Sequence, residues 1–318
     1  MSTARVKERS GRRTLPVILR VADLSPPAWV HEAMGLGDEH WPGERSWARR
    51  EGAGWTLISA TIAGARTLAA LELQRRVCEV YADLGAELSR GRPLYPVRFW
   101  NFVPDIHGEM GGDLDRYMIF NAGRFAGFAG WHADRADFGP RLSTASGVGH
   151  DGADLVVHCL AGATPGTPVE NPRQVPAYRY SKRLGPLPPC FARATVLDRA
   201  PGAAATVLVG GTAAVRGEDS THEGDLAGQL DETLENMAAL AAEAAGTSGE
   251  RSSGLGLYRE LRAYVTRPED DEAVVAAIER SFAGVRRVEV MRASICRREL
   301  LVEIEGVART PEGAGDAV

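Results

Sequence analysis

The sequence has few cysteines, four in 318 residues. Cys78, Cys159, Cys190 and Cys296 lie far apart and form no Cys-x-x-Cys pair. That excludes a zinc knuckle or a disulfide scaffold and fits a reducing cytoplasm. No apolar run reaches the ~18–20 residues that a membrane-spanning helix needs. No apolar stretch follows the basic start either, so neither an anchor nor a secretory signal is expected. Positive charge is not in excess: 37 basic residues against 42 acidic give a net charge of −5. A protein that grips nucleic acid by its phosphates would normally be basic, so no nucleic-acid partner is expected. The seven histidines show no His-x-x-x-His or His-Glu-x-x-His spacing, and there is no Gly-x-Ser-x-Gly elbow. Neither a local metal site nor a serine hydrolase of that type is expected. Gly147-Val148-Gly149-His150-Asp151-Gly152 spells a dinucleotide fingerprint in the wrong context. A β-like run, Leu155 to Leu160, follows where a helix should begin, so the motif reads as a turn.

The composition is that of a globular protein, 44% apolar and 25% charged, and the length favours two domains. Residues 1–14 read as frayed and residues 35–54 as a loop. Trp55 to Ile62 reads as a strand and Thr67 to Leu84 as an amphipathic helix, with Leu73, Val77, Val80, Tyr81 and Leu84 at helical spacing. Tyr95 to Val103 is a second strand, stopped by Pro104. Asp113 to Phe128 is a second helix, weakened by Gly123 and Gly127. The order then repeats. Ala205 to Val209 is a strand, and a helix follows Asp225, with Gly246 as its C′ residue. Residues 246–254 read as a loop, Leu257 to Thr266 as a strand stopped by Pro268, and Glu269 to Phe282 as a helix. Arg287 to Ala293 and Leu300 to Glu305 are closing strands. The expected fold class is α+β, a duplicated unit with mixed sheets and helices on one face of each.

Between the halves, residues 140–195 are rich in Pro and Gly. Within them, residues 164–193 carry Arg173, Arg179, Lys182, Arg183 and Arg193 against the single acid Glu170, interleaved with Tyr178, Tyr180 and Phe191. Five minus one is +4 in a chain of net −5. Such a segment is either a basic surface loop or a pocket for a small, partly apolar anion, since arginine forks bind carboxylates bidentately. Arg124, after Gly123, is another candidate fork. In the last strand, period two puts Leu301, Glu303 and Glu305 on one face. A carboxyl there is either solvated or, if buried in a cleft, able to donate a proton at neutral pH. Gly210-Gly211, at a strand end, marks a close approach of backbone or ligand.

Tyr117-x-x-Phe-Asn-x-Gly-Arg124, Asn171-Pro-Arg-Gln174, Ala177-Tyr-x-Tyr180, Gly185-Pro186, Phe191-Ala-Arg-Ala194, Gly211-Thr-Ala213 and Leu301-Val-Glu-Ile304 together resemble the chorismatases, over roughly residues 55–307. The sequence departs from the family pattern at Leu184, Glu218 and Ala214. The second half alone looks like the RidA/YjgF (chorismate-mutase-like) fold. The resemblance implies a degenerate RidA-like domain over 15–150, a RidA/YjgF-like domain over 151–308 that carries most of the active site, and a disordered tail over 309–318. It implies an enzyme that splits the enolpyruvyl ether of chorismate and releases pyruvate, with no cofactor. By the same resemblance Glu303 is the acid, and Arg124, Arg173 and Arg193 hold carboxylates with Tyr178 and Tyr180 nearby. Cys296 and Gly210, beside Gly211, resemble positions of the 3-hydroxybenzoate-forming subgroup. The alternatives are a chorismate hydrolase giving a cyclohexadiene diol, and a RidA-like imine deaminase or ligand-binding relative. A duplicated unit can replace a subunit contact internally, so a monomer is expected.

Overall fold

The structure, a computed structural model, describes residues 15–35, 47–132, 138–197, 203–247 and 250–312. Residues 1–14, read above as frayed, and 313–318 of the expected tail lie outside the described residues. The first unit runs from Trp55–Ile62 (β3) through the helix Ala70–Leu88 (α2) to Tyr95–Pro104 (β4) and the helix Arg116–Trp131 (α3). It closes with Thr144–His150 (β7) and Leu155–Gly162 (β8). The second runs from Thr206–Thr212 (β11) through Leu226–Ala244 (α4) to Tyr258–Val265 (β14) and Asp271–Ser281 (α6), and closes with Arg287–Arg292 (β15) and Val302–Arg309 (β16). The sheets repeat the same order, β3-β8-β4-β7 and β11-β16-β14-β15. In each, the last pair is parallel and the others antiparallel. The duplication read from the element order is therefore also one of sheet topology.

Smaller elements extend the sheets. Val17–Val21 (β1) joins β15, the helix Ala28–Ala33 (α1) follows it, and Trp47–Gly52 (β2) pairs with β3. Thr167–Val169 (β9) and Ala194–Val196 (β10) continue from β11. Glu109–Gly111 (β5) with Leu114–Asp115 (β6), and Val215–Arg216 (β12) with Asp219–Ser220 (β13), are two-stranded hairpins. Arg251–Leu255 (α5) is a short helix.

Each sheet carries its helices on its outer face: α2 and α3 on the first, α4 and α6 on the second. The inner faces pack on one another through Leu57, Trp100, Phe102, Val148 and Leu160 of the first sheet and Leu208, Tyr264, Met291 and Val307 of the second. The result is four layers in the order helix, sheet, sheet, helix, with burial of apolar side chains at all three interfaces as the driving term. The glycines that weakened the second helix on propensity are what let it close on α2. A Cβ on Gly123 would lie 2.5 Å from the Gln74 carbonyl oxygen, and one on Gly127 2.4 Å from the Tyr81 Cβ. Asp115 caps α3 by accepting from the Met118 amide at 2.8 Å.

Several expectations are corrected. The strand β8 lies past the expected boundary at 150, yet it pairs in the first sheet between β3 and β4. Its eight buried residues, Leu155 to Gly162, complete that sheet's core, so the first sheet ends at 162. Gly147 to His150 lies in β7, not in a turn; the small side chains suit a strand crossed closely by Tyr117 and Ile106. The stretch read as a loop over 35–54 contains β2, whose alternation fits an edge strand; residues 36–46 lie outside the described residues. Part of the 246–254 loop is α5, seated on α4 at Gly254, where a Cβ would meet the Ala238 carbonyl oxygen at 2.4 Å. The expected tail starts too early: Arg309 ends β16, and the buried Thr310 exchanges hydrogen bonds with Ala205. Among the described residues no helix is long and apolar enough to cross a membrane.

Candidate active site

A cavity of about 290 Å³ opens where β7, at the edge of the first sheet, meets β11 and β16 of the second. The α3 helix supplies Tyr117, Met118 and Arg124 to its wall, and the 174–193 segment supplies Gln174, Tyr180, Leu184, Phe191 and Arg193. Cys296, Arg297, Arg298 and Glu299, in the turn before β16, complete it.

Glu303 projects from β16 on the inner face and lines this cavity at 5% exposure. A Cβ on Gly211 would lie 1.8 Å from its Oε1, so a larger residue opposite it would displace the carboxyl. Burial above all, then the negative charge of Glu305, pushes its pKa up to about 8. At neutral pH the carboxyl carries a proton that it can deliver to an atom in the cavity. Two residues along the same face, Glu305 is held differently. It accepts from Trp100 Nε1 at 2.8 Å, from Arg98 Nη2 at 2.6 Å and from the Ser146 hydroxyl. Ser146 Oγ in turn accepts from the Gly211 amide at 2.9 Å, tying β7 to β11.

Arg124 is 2% exposed and its Nε and Nη2 have no hydrogen-bond partner among the described residues. Its guanidinium lies 5.4–5.8 Å from the ring centroids of Phe128, Tyr81 and Phe99. A desolvated cation with unused donors on a cavity wall is a receptor for an anion. Arg193 bonds the Tyr180 hydroxyl at 2.5 Å and lies over the Tyr180 and Phe191 rings, while its Nε has no partner among the described residues. Arg297 stacks on the same Tyr180 ring at 5.5 Å and donates to the Glu218 carbonyl and the Ser220 hydroxyl, both neutral. Cys296 lines the cavity near Glu303, and burial pushes its thiol up to about 12, so it stays protonated. Burial likewise pushes the Tyr117 phenol above its usual range.

Of the residues singled out from the sequence, Glu303, Cys296, Arg124, Tyr180, Arg193 and Gly211 come together here; Arg173, Tyr178 and Gly210 do not line the cavity. Arg173 turns to α4, where Nε bonds Asn236 Oδ1 at 2.8 Å and Nη2 bonds Glu232 Oε1 at 2.5 Å. The Asn171–Gln174 turn causes this by sending neighbouring side chains opposite ways, Arg173 to the helix and Gln174 to the cavity. Tyr178 packs against the first unit's outer core, over Gly139. Gly210 is packed against β7 and the Arg193 backbone ahead of β10: a Cβ there would lie 2.7 Å from Thr144 Oγ1 and 2.9 Å from the Ala145 carbonyl oxygen.

Sequence reasoning missed Arg98, Trp100, Ser146 and Arg297 as parts of this region. A signal existed for the first two. Period two in β4 puts Arg98, Trp100 and Phe102 on one core-facing side, and a charge there requires a buried carboxylate. Nothing comparable marks Ser146 or Arg297.

Comparison with known proteins agrees with this picture. Residues 39–161 match the family described as chorismatase FkbO/Hyg5-like, N-terminal. A 3-hydroxybenzoate synthase of Streptomyces hygroscopicus is 38% identical over 66% of this chain and 62% of its own length. A chorismatase of Streptomyces rapamycinicus is 34% identical over 67% of this chain and 64% of its own. A chorismatase of Streptomyces hygroscopicus is 30% identical over 82% of this chain and 73% of its own. A solved chorismatase crystal structure superposes with a TM-score of 0.71 at 26% identity, covering 83% of this chain and 78% of that one. The chain belongs to the chorismatase family. It spans just under two thirds of the length of the first two relatives.

Proposed function

We propose that the protein cleaves the enolpyruvyl ether of chorismate and releases pyruvate and 3-hydroxybenzoate. The observation that carries this reading is a carboxyl, Glu303, that keeps its proton near neutral pH inside a small cavity also lined by Arg124, Arg193 and Arg297. Chorismate is a small dianion, with one carboxylate on its ring and one on the enolpyruvyl arm. Arginines on separate walls suit two such groups, and Tyr180 and Phe191 supply part of the wall that would meet the carbocycle. Glu303 protonates the terminal methylene carbon of the enol ether, which becomes the methyl group of pyruvate. The C3–O ether bond breaks and its oxygen leaves as the carbonyl of pyruvate. The ring's 4-hydroxyl oxygen passes to C3, and the C3 hydrogen leaves as a proton when the ring becomes aromatic, so the acid is restored and no water is consumed overall.

The product assignment is supported by the 3-hydroxybenzoate synthase relative and by Cys296, a small neutral thiol in the wall near Glu303. Gly210 lends room only indirectly, by letting β11 approach β7. Arg173 serves the site by anchoring the turn that presents Gln174. The protein acts as a monomer in the cytoplasm. Two similar sheets already cover one another's inner faces, and the four cysteines are unpaired.

The test is incubation of the purified chain with chorismate, with pyruvate followed by a coupled dehydrogenase and the ring product by chromatography against standards. Pyruvate with 3-hydroxybenzoate is the expected result. Pyruvate with the cyclohexadiene diol would make the protein a chorismate hydrolase. No pyruvate at all would return it to a RidA-like deaminase or a ligand-binding relative.

A further inference from the structure

The space between the two sheets holds more charge than a core needs. Besides Glu303 and Glu305, the inner faces bury Arg98 on β4, Arg262 on β14 and Glu289 on β15. Arg98 pairs with Glu305 at 2.6 Å. Arg262 pairs with Glu289, Nε to Oε2 at 2.6 Å, and Glu289 also takes the Ala28 amide at 2.7 Å. These two cations and two anions balance without Glu303.

Buried charges persist when they are paired and their remaining lone pairs are bonded. Glu305 meets that condition: three donors converge on it, and the ionised form, which only accepts, satisfies all three. Among the described residues Glu303, two residues along, makes no ion pair, and the buried Arg124 and Arg193 stand elsewhere on the cavity wall. Around it stand Glu305 on its own strand, Arg98 already engaged on β4, Tyr264 opposite on β14, Tyr117 on α3, Cys296 in the preceding turn, and Arg193 across the cavity. A second ionised carboxylate beside Glu305 is opposed by like charge.

We propose that Glu305, fixed by Arg98, Trp100 and Ser146, is a positioning residue whose charge keeps the proton on Glu303. The inference rests on the proposed function for its meaning, since it explains how that acid stays loaded at the pH where it works. Through Ser146 the same device also sets place. One hydroxyl bonds both Glu305 and the Gly211 amide, and Gly211 is the residue whose missing side chain makes room for Glu303.

The experiment is an infrared pH titration of the unliganded full chain, following the protonated carboxyl band of Glu303, which is assigned by its absence from Glu303→Gln. In the wild type the band should fade with a midpoint at about 8. Glu305→Gln removes the neighbouring negative charge and leaves the Arg98 charge unbalanced. Both effects favour the ionised Glu303, so the midpoint should fall by at least ~1 pH unit. Losing one member of a buried pair can prevent folding. The double variant Arg98→Met/Glu305→Gln removes the pair together and should lower the midpoint by less, because the Glu305 charge outweighs that of Arg98 at Glu303. The alkaline limb of pyruvate release should move with the band. A midpoint unmoved or raised in whichever variant folds overturns the inference, and so does a loss of turnover at every pH with no shift of the limb. If the wild type releases no pyruvate, the proposed function fails, and the band titration still decides the role of Glu305.

Discussion

The two units share one strand order and differ in what they place at the same point of it. In the first, β8 presents Val156 and His158 to the space between the sheets, opposite Phe102 and Trp100 of β4. In the second, β16 presents Glu303 and Glu305 opposite Tyr264 and Arg262 of β14. By register Val156 answers Glu303 and His158 answers Glu305. His158 is sealed in: it bonds Ser59 and, through Nε2, the Leu24 carbonyl oxygen at 2.6 Å. Burial drops its pKa to about 4, so it is neutral and structural. Beside Glu303 the partner strand breaks register between Val209 and Thr212, at two glycines, and a cavity opens. The same fold position becomes core in one unit and cavity wall in the other according to whether the neighbouring strand closes over it.

The strongest way to break this contrast is to make the second unit resemble the first at the acid. Glu303→Gln keeps shape and removes the transferable proton. Pyruvate release from chorismate should fall at least ~100-fold while the protein stays folded by circular dichroism. The variant should also change the pH dependence of stability. A carboxyl whose folded pKa stands at about 8 against an ordinary 4.5 contributes stability that is complete below about 4.5 and lost as pH rises through 8. Thermal melts of the wild type should decline across that window, and those of Glu303→Gln should decline less.

Closing the opening from the other side comes next. Gly211→Ala puts a Cβ onto the Glu303 carboxyl, and the acid must rotate away. A loss of turnover of roughly tenfold or more is expected, since small displacements of a reacting group cost rate heavily. A steady-state assay at saturating chorismate measures it.

The contrast sharpens at Arg124, a first-unit residue that lines the same cavity as Glu303 of the second. Arg124→Met retains an apolar filler among Phe128, Tyr81 and Phe99 but removes the charge. Calorimetric binding of chorismate to the Glu303→Gln background should weaken by roughly tenfold or more, the scale of one charge-assisted contact of about 1.5–3 kcal/mol. The smallest effect is expected at Arg173. Arg173→Ala leaves Glu232 only its longer pair with Arg216, leaves the Asn236 Oδ1 without its donor, and loosens the turn behind Gln174. KM should rise by about two- to fivefold with a lowered melting temperature, in keeping with a partly exposed ion pair. Unchanged values for both would make that turn independent of α4.

These residues also show how far the sequence was readable. The duplicated order could be seen because strands and helices carry different apolar periods, and Pro104 and Pro268 punctuate both copies at like places. Glu303 stands out as a carboxyl in an apolar strand, and the role proposed for it comes from family resemblance. The divide at 150 was misplaced because β8, buried throughout, looks alike whichever sheet it joins. Arg173 misled because composition counts charges without saying which way a turn aims them. Ser146 was invisible, since its importance lies in bonds to Glu305 and Gly211, 159 and 65 residues away.

The Ser146 hydroxyl stands on the edge strand of one unit and receives the Gly211 amide of the other. The acid's surroundings therefore exist only once the units have docked. A chain in which the two units had not yet met would lack the cavity around Glu303. On the proposed function, turnover would report the docking of the two units.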